Sequence, residues 1–114
     1  MSDLGELPFG FEIREGADLT TLTLTGDLDL VTAGDVEPAL RGAQESSTTV
    51  ALDFRGLRFI DSSGLRLVLD AQRRARAAGT RLLVAPGDGP IRRVFDLSGV
   101  GTLVELVDAP PEPA

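Results

Sequence analysis

The stretch from Thr49 to Ala78 constrains the fold of this chain most. It opens with an apolar run, Thr49–Phe54, typical of a buried strand, and closes with an amphipathic run, Leu65–Ala78, typical of a helix. The segment between them, Asp61–Gly64, carries carboxylate and hydroxyl side chains where the first N–H groups of a helix need acceptors. The stretch therefore predicts a strand, a capped helix start and a helix in succession.

The residues before this stretch predict a hairpin and another helix. Alternating apolar and polar residues at Phe9–Ile13 and Thr21–Thr25 predict two antiparallel strands, followed by a loop at Gly26–Asp29. Helical spacing then runs through Val36, Ala39, Leu40 and Ala43. The start of this helix has two interpretations. Thr32 with Asp35 resembles a capping box, whereas Asp35 as the cap places Pro38 in the first turn.

The residues after Ala78 complete an alternating pattern. They predict a strand at Arg81–Ala85, a short helix from Pro90 with Phe95 in the core, and a last strand at Leu103–Val107. The order β-β-α-β-α-β-α-β predicts an α/β fold: a mostly parallel sheet of about five strands, with an N-terminal antiparallel hairpin and about three helices. We expect residues 1–8 to be a disordered lead-in, 9–107 to be one domain, and 108–114 to be a disordered proline-rich tail.

Two side-chain patterns are predicted for the helix after Asp61. Its inward face is expected to carry Leu65, Val68, Leu69, Gln72, Ala75 and Ala78. Asp70 and Arg74 have the spacing of an ion pair. The arginines Arg66, Arg73, Arg74 and Arg76 are interpreted as a solvated face, with a partner-facing stripe as the alternative.

The composition excludes several kinds of chemistry. The 114 residues include no Cys and no His, and all 11 basic residues are Arg. Disulfides, thiolate metal sites, Ser–His triads, Ser–Lys dyads and P-loops are therefore excluded. The net charge of −7 argues against binding to nucleic acid or an anionic membrane surface and favours a partner with a basic patch. We expect no cofactor. The acidic N-terminus, Met1–Glu6, and the absence of a long apolar run predict a cytoplasmic protein.

Polar side chains follow the second and third predicted strands, at Asp27, Asp29, Asp61 and Ser62. Functional groups of parallel sheets collect at the carboxyl ends of strands, so these residues share one surface if the two strands are neighbours. We interpret Ser62 as a phosphorylation switch on a small interaction domain, because its hydroxyl would lie at the positive end of a helix dipole. The simpler interpretations are that Ser62 is only a helix cap and that Asp27 and Asp29 are turn residues. Gly64 either avoids crowding or admits a partner's backbone.

Three segments together resemble the STAS domain, and specifically the bacterial anti-sigma factor antagonists. They are Leu24–Asp29, Phe59–Leu65 and Val94–Val100, and the resemblance covers residues 9–107. It implies a STAS-like fold and phosphorylation of Ser62 by a kinase-type anti-sigma factor. By the same resemblance, the unphosphorylated protein binds that factor and frees the sigma factor, phosphorylation blocks the binding, and a serine phosphatase resets the switch. Asp29 is implied to lie close to the phosphorylated serine.

The resemblance defines a candidate partner-binding surface of Asp27, Asp29, Asp61, Ser62, Ser63 and Gly64, with Ser63 as a secondary phosphorylation candidate. It implies no catalytic or metal-binding residue. One departure is that such antagonists commonly end in a further helix, where this chain has its proline-rich tail. Two other functions are considered: a STAS subunit of a membrane lipid-transport ABC complex, and a hydrolase that uses Ser62.

Overall fold

The architecture follows the predicted order of elements. A computed structural model of the chain describes residues 9–112, so the proposed lead-in at 1–8 lies outside the described residues. The elements are β1 (Gly10–Glu15), β2 (Leu19–Leu28), α1 (Leu30–Ser46), β3 (Thr49–Ile60), α2 (Ser62–Ala78), β4 (Arg81–Ala85), α3 (Pro90–Ser98), a 3₁₀ turn (Val100–Thr102) and β5 (Glu105–Leu106). No helix within 9–112 is both long enough and apolar enough to cross a bilayer.

The five strands form one mixed sheet in sequence order, β1 to β5. β1 pairs antiparallel with β2, and every later pair is parallel. Right-handed crossovers between strands that succeed one another across a sheet place all helices on the same face. The buried residues of α1, α2 and α3 do join one core with alternate residues of β2, β3 and β4. The predicted α/β class is confirmed.

Leu, Val, Ile and Ala side chains fill most of the core, and two phenylalanines complete it. Phe54 of β3 and Phe95 of α3 are both fully buried, with ring centroids 6.3 Å apart. The prediction that Phe95 belongs to the core is confirmed. This contact fixes α3 against the centre of the sheet.

The start of α1 differs from both predictions. The helix begins at Leu30 with Asp29 as its N-cap, so neither Thr32 nor Asp35 caps it. Pro38 consequently lies inside the helix rather than in its first turn. Proline has no N–H, so the carbonyl of Gly34 loses its partner within the helix, but Gly34 is exposed and water can reach that carbonyl.

Two strand boundaries also differ from the prediction. β3 continues to Ile60 rather than ending at Phe54, because its pairing with β2 resumes after register shifts and extends to Leu28. The expected loop at Gly26–Asp29 is correspondingly shorter, since β2 runs to Leu28. The last strand is confined to Glu105–Leu106, because the 3₁₀ turn takes up the residues before it.

The inward face of α2 is rotated from the one predicted. Its buried residues are Gly64, Leu67, Val68, Ala71 and Ala75, whereas Ala78 is exposed.

The predicted ion pair between Asp70 and Arg74 is also wrong. Arg73 binds Asp70 instead, at 2.6 Å. The Nε of Arg74 donates a hydrogen bond of 2.9 Å to Oε1 of Gln44, and Nε2 of Gln44 donates one of 2.8 Å to the carbonyl of Ala71. Arg74 therefore links α2 to α1 and is not part of a solvated face.

The sheet face opposite the helices carries polar side chains and part of the C-terminal segment. Asp53 and Arg55 form an ion pair there, at 2.9 Å, and the two neighbouring threonines Thr21 and Thr23 line the same cleft as Pro110 and Pro111. Residues 108–112 form neither helix nor strand. Disorder of the segment 108–114 stays a prediction.

Candidate functional site

The ends of β2 and β3 meet at one edge of the sheet, where α1 and α2 both begin. Leu28 pairs with Ile60 in the parallel ladder, and the amide of Asp61 donates a hydrogen bond of 3.2 Å to the carbonyl of Leu28. The strands that lead to Asp29 and Asp61 are therefore neighbours, as the prediction of one shared surface requires. The two helix starts form one continuous surface.

At the start of α2 the cap is Asp61 and not Ser62. Oδ1 of Asp61 accepts hydrogen bonds from the amides of Ser63, at 2.8 Å, and Gly64, at 3.2 Å. Ser62 is the first residue of the helix, is exposed, and makes no side-chain hydrogen bond with any residue of the described part of the chain. The interpretation of Ser62 as a structural cap is therefore wrong, because a carboxylate accepts from two amides and leaves the hydroxyl free. Ser63 is half-buried.

Asp29 caps α1 in the same way. Its Oδ1 accepts from the amides of Val31 and Thr32, both at 3.1 Å, and the Thr32 hydroxyl accepts from the amide of Asp29 at 2.8 Å. This capping box lowers the pKa of Asp29, with the hydrogen bond from the Thr32 amide as the main cause. Asp29 is thus held ionised beside the start of α2.

Asp27 lies one residue before Leu28 in β2, so its side chain points away from the helix-covered face. Its carboxylate binds Arg58 of β3 at 3.3 Å. Asp27 therefore lies at the same edge of the sheet. Its carboxylate is paired with an arginine, whereas those of Asp29 and Asp61 accept hydrogen bonds from backbone amides.

Gly64 is required by packing. A Cβ at this position would lie 2.6 Å from Cγ1 of Ile60 and 3.0 Å from Cγ of Leu28. The first distance requires Ile60 to move, and the second is tighter than most contacts of a real Cβ. Of the two interpretations left by the sequence, the crowding one is supported. The glycine lets α2 begin directly above the last paired residues of β2 and β3.

Three exposed apolar side chains lie close to the starts of α1 and α2, two of them in the first turn of α1 and one, Phe59, on the opposite face of the sheet beside Asp27. Leu30 is 73% exposed, Val31 is 72% exposed and Phe59 is 49% exposed. Leu30 and Ser62 line one shallow cleft of about 300 Å³ between the first turns of α1 and α2. Leu30 and Val31 precede the helical pattern that begins at Val36, so no amphipathic pattern marks them. Leu30 and Val31 are adjacent, and a contiguous apolar patch rimmed by polar residues marks a protein-binding surface.

The arrangement supports modification and binding more readily than catalysis. Asp29 and Asp61 each accept hydrogen bonds at a helix start, and Asp27 is paired with Arg58. Within residues 9–112, His, Cys, Asp and Glu side chains form no group of three that could hold a metal ion. The accessible reactive group at this surface is the hydroxyl of Ser62.

The mixed five-stranded sheet with its three helices, together with the sequence, identifies the chain as a STAS domain. A family model described as "Mlab, STAS domain" matches residues 11–107. The chain belongs to the STAS domain family, among the anti-sigma factor antagonists. It is 31% identical, over 85% of its length, to an anti-sigma F factor antagonist of Lysinibacillus sphaericus, of which 83% is covered.

Two solved structures of a relative extend this similarity. The unphosphorylated form of the anti-sigma factor antagonist SpoIIAA superimposes with a TM-score of 0.70 at 26% identity, covering 89% of this chain and 90% of that one. The phosphorylated form of SpoIIAA from Bacillus gives a TM-score of 0.68 at 28% identity, covering 86% and 91%. The predicted family and STAS-like fold are confirmed.

Proposed function

We propose that this protein is a phosphorylation-controlled antagonist of a kinase-type anti-sigma factor, with Ser62 as the switch. The kinase transfers the terminal phosphoryl group of ATP to the hydroxyl oxygen of Ser62, which loses its proton, and ADP leaves. The unphosphorylated protein binds the anti-sigma factor and releases the sigma factor. A serine phosphatase hydrolyses the phosphate and restores binding, and the cycle runs in the cytoplasm.

The observation that carries this proposal is the division of roles between Asp61 and Ser62. The carboxylate caps α2, and the exposed hydroxyl beside it has no hydrogen-bond partner among the described residues. A kinase can therefore modify the hydroxyl without removing any bond that holds the fold. The phosphorylated and unphosphorylated forms of SpoIIAA, both similar to this chain, support the proposal.

The expected effect of the phosphate is on docking rather than on folding. A phosphate adds about −1.5 to −2 charges at neutral pH. The positive end of the α2 dipole tolerates that charge, and the nearby carboxylates of Asp29 and Asp61 oppose it. A partner that docks over Ser62 would have to strip water from the phosphate, and taking a charge out of water costs several kcal/mol. Phosphorylation thus removes one set of complexes and leaves the domain intact.

The docking surface extends beyond the six residues identified from the sequence. The exposed apolar side chains of Leu30 and Val31, in the first turn of α1, supply area next to the Ser62 cleft that is buried on binding. The carboxylates of Asp27, Asp29 and Asp61 lie at the same edge of the sheet, and the amides of Ser63 and Gly64 donate to that of Asp61. An apolar centre with an acidic rim fits a partner that presents an apolar patch and basic residues.

A role as an enzyme is not supported. Nucleophilic use of Ser62 requires a base within hydrogen-bonding reach, and the chain has neither His nor Lys. Oδ1 of Asp61, the nearest carboxylate in sequence, accepts from two backbone amides. We propose a binding module and not a catalyst.

The first experiment mixes the protein with ATP and candidate kinase-type anti-sigma factors and follows its intact mass. One added phosphate is expected for the wild type and for Ser63→Ala, and none for Ser62→Ala. Titration calorimetry should then show that the Ser62→Ala protein binds the anti-sigma factor and that the phosphorylated protein does not. Phosphate on the Ser62→Ala protein, or tight binding by the phosphorylated form, would refute the proposal.

The second candidate function is a STAS subunit of a membrane lipid-transport ABC complex. The observation that keeps it is that the matching family model is described as a Mlab STAS domain and names no antagonist. In that case the protein should co-purify with an ATPase, and Ser62→Ala should leave the association unchanged.

A further inference from the structure

Arg66 lies one helical turn after Ser62 in α2. Side chains four residues apart on a helix are neighbours, with Cβ atoms about 5–6 Å apart. Both residues are exposed, and both line the cleft between α1 and α2 and a second cleft on the other side of α2. The guanidinium of Arg66 and the hydroxyl of Ser62 therefore lie on the same exposed face of α2.

The charged groups around Arg66 already have other partners. Asp70 of α2 is paired with Arg73 at 2.6 Å, and Glu37 of α1 with Arg41 at 3.4 Å. The carboxylates of Asp29 and Asp61 accept hydrogen bonds from backbone amides. Arg66 itself forms no ion pair with any residue between 9 and 112, so it is a cation without a fixed acceptor beside the serine.

We propose that Arg66 binds the phosphate of phosphorylated Ser62 as an ion pair along the first turn of α2. The inference rests on the proposed function only in taking Ser62 as the modified residue. The guanidinium fork matches phosphate oxygens and forms short, charge-assisted hydrogen bonds. An acid that lies N-terminal to a base at this spacing also has the more favourable orientation on a helix.

The pair changes what a partner meets at this surface. Phosphorylation adds an anion at Ser62 and also withdraws the cation of Arg66 from any partner carboxylate. The same ion pair offsets part of the repulsion between the phosphate and the carboxylates of Asp29 and Asp61. The switch therefore alters two charges on the docking surface with one modification.

The test encodes phosphoserine at position 62 during translation, so that no kinase is needed. Phosphorus NMR then measures the second pKa of the phosphate in the wild-type background and in Arg66→Gln, Arg66→Lys and Arg76→Gln. Arg76 is the matched control, because it is an exposed arginine of the same helix, about 21 Å from Ser62 at 1.5 Å per residue. We expect Arg66→Gln to raise this pKa by about 0.3 units or more and Arg66→Lys to restore most of the difference.

Equal effects of Arg66→Gln and Arg76→Gln would overturn the proposal, because a general loss of charge would then explain both. The difference should also shrink at high salt, since exposed ion pairs are screened. If the kinase did not phosphorylate Ser62, the proposed function would be refuted, but the pKa measurement on the encoded phosphoserine could still be interpreted. A missing shift with normal phosphorylation would remove the ion pair alone.

Discussion

The amide of Asp61 donates a hydrogen bond of 3.2 Å to the carbonyl of Leu28, and this bond joins the start of α1 to the start of α2, which Ser62 begins. It extends the pairing of β2 with β3 by one residue beyond Ile60. The position of Ser62 relative to Asp29 and Leu30 is thus set by the sheet itself. The proposed partner-binding surface at this edge therefore depends on strand pairing as well as on surface side chains.

Replacement of the α2 cap should destabilise the fold more than replacement of the serine. Asp61→Ala removes the acceptor of two amides and is expected to lower the free energy of unfolding by about 1 kcal/mol. Ser62→Ala should change it by less than about 0.5 kcal/mol, because no hydrogen bond is lost. Urea denaturation of both variants measures the difference. Asp61→Asn is the control and should stay near the wild type; the reverse ranking would mean that Ser62 is the cap.

Gly64→Ala should disrupt the joint between β3 and α2. The added methyl group meets Ile60 and Leu28, so we expect a loss of about 1–3 kcal/mol in the free energy of unfolding. Gly34→Ala is the matched control in α1, where an added Cβ has no neighbour within 4 Å and the helix should gain about 0.5–1 kcal/mol. If both variants were stabilised, the crowding at Gly64 would not be real.

Acid should weaken the start of α1 through Asp29. The pKa of this carboxyl is lowered in the folded state from its ordinary value of 3.8, mainly by the hydrogen bond from the Thr32 amide. Its contribution to stability is therefore complete above about pH 5 and is lost as the pH falls through 3.8 toward the lower folded value. Asn can still cap the helix but does not ionise. The thermal unfolding midpoint of Asp29→Asn should therefore fall less than that of the wild type between pH 7 and pH 3.

A curve for Asp29→Asn parallel to that of the wild type would show that the capping box does not contribute in this way.

Leu30 should be needed for partner binding and not for folding. Leu30→Gln replaces an apolar side chain that is 73% exposed, and it should weaken binding of the anti-sigma factor about fivefold or more with little change in stability. Leu97→Gln is the matched control, because Leu97 in α3 is 82% exposed. Calorimetric titration with the anti-sigma factor compares the affinities of the two variants. Equal loss of affinity in both variants would argue against a surface centred on Ser62.

The phosphorylated protein should remain as stable as the unmodified one. The phosphate lies at the positive end of the α2 dipole, and Asp61 still holds the cap, so thermal unfolding should shift by no more than a few degrees. Scanning calorimetry of the two forms at equal salt checks this. A drop of 10 °C or more would mean that the switch acts by unfolding the domain.

Hydrophobic periodicity carried most of the fold prediction, and it failed where neighbours rather than the local sequence decide. β3 was expected to end at Phe54, because exposed Arg55 and Gly56 interrupt its apolar run, yet pairing with β2 carries the strand on to Ile60. The cap of α1 differs from both predicted caps, Thr32 and Asp35, because Asp29 caps the helix and the Thr32 hydroxyl accepts in return, and the helical spacing from Val36 onward does not extend back to this start. The bond from Arg74 to Gln44 joins two helices and has no signal within either one.

The surface around Ser62 was found by a different route. The positions of Asp27, Asp29, Asp61 and Ser62 at the carboxyl ends of two strands predict one shared surface, and the resemblance to anti-sigma factor antagonists adds its role, since those motifs are local in sequence. Leu30 and Val31 were missed, because an exposed leucine at a helix start has no periodic pattern to mark it.

The separation of the cap from the modified residue also bears on timing. In the proposed switch Asp61 caps α2 in both states of Ser62, so neither addition nor removal of the phosphate has to wait for a conformational exchange of the chain. The rate of signalling in that proposal is governed by the turnover of the two opposing enzymes and by their cellular amounts. A cell could speed up or slow down its response through expression of those enzymes, with this protein unchanged.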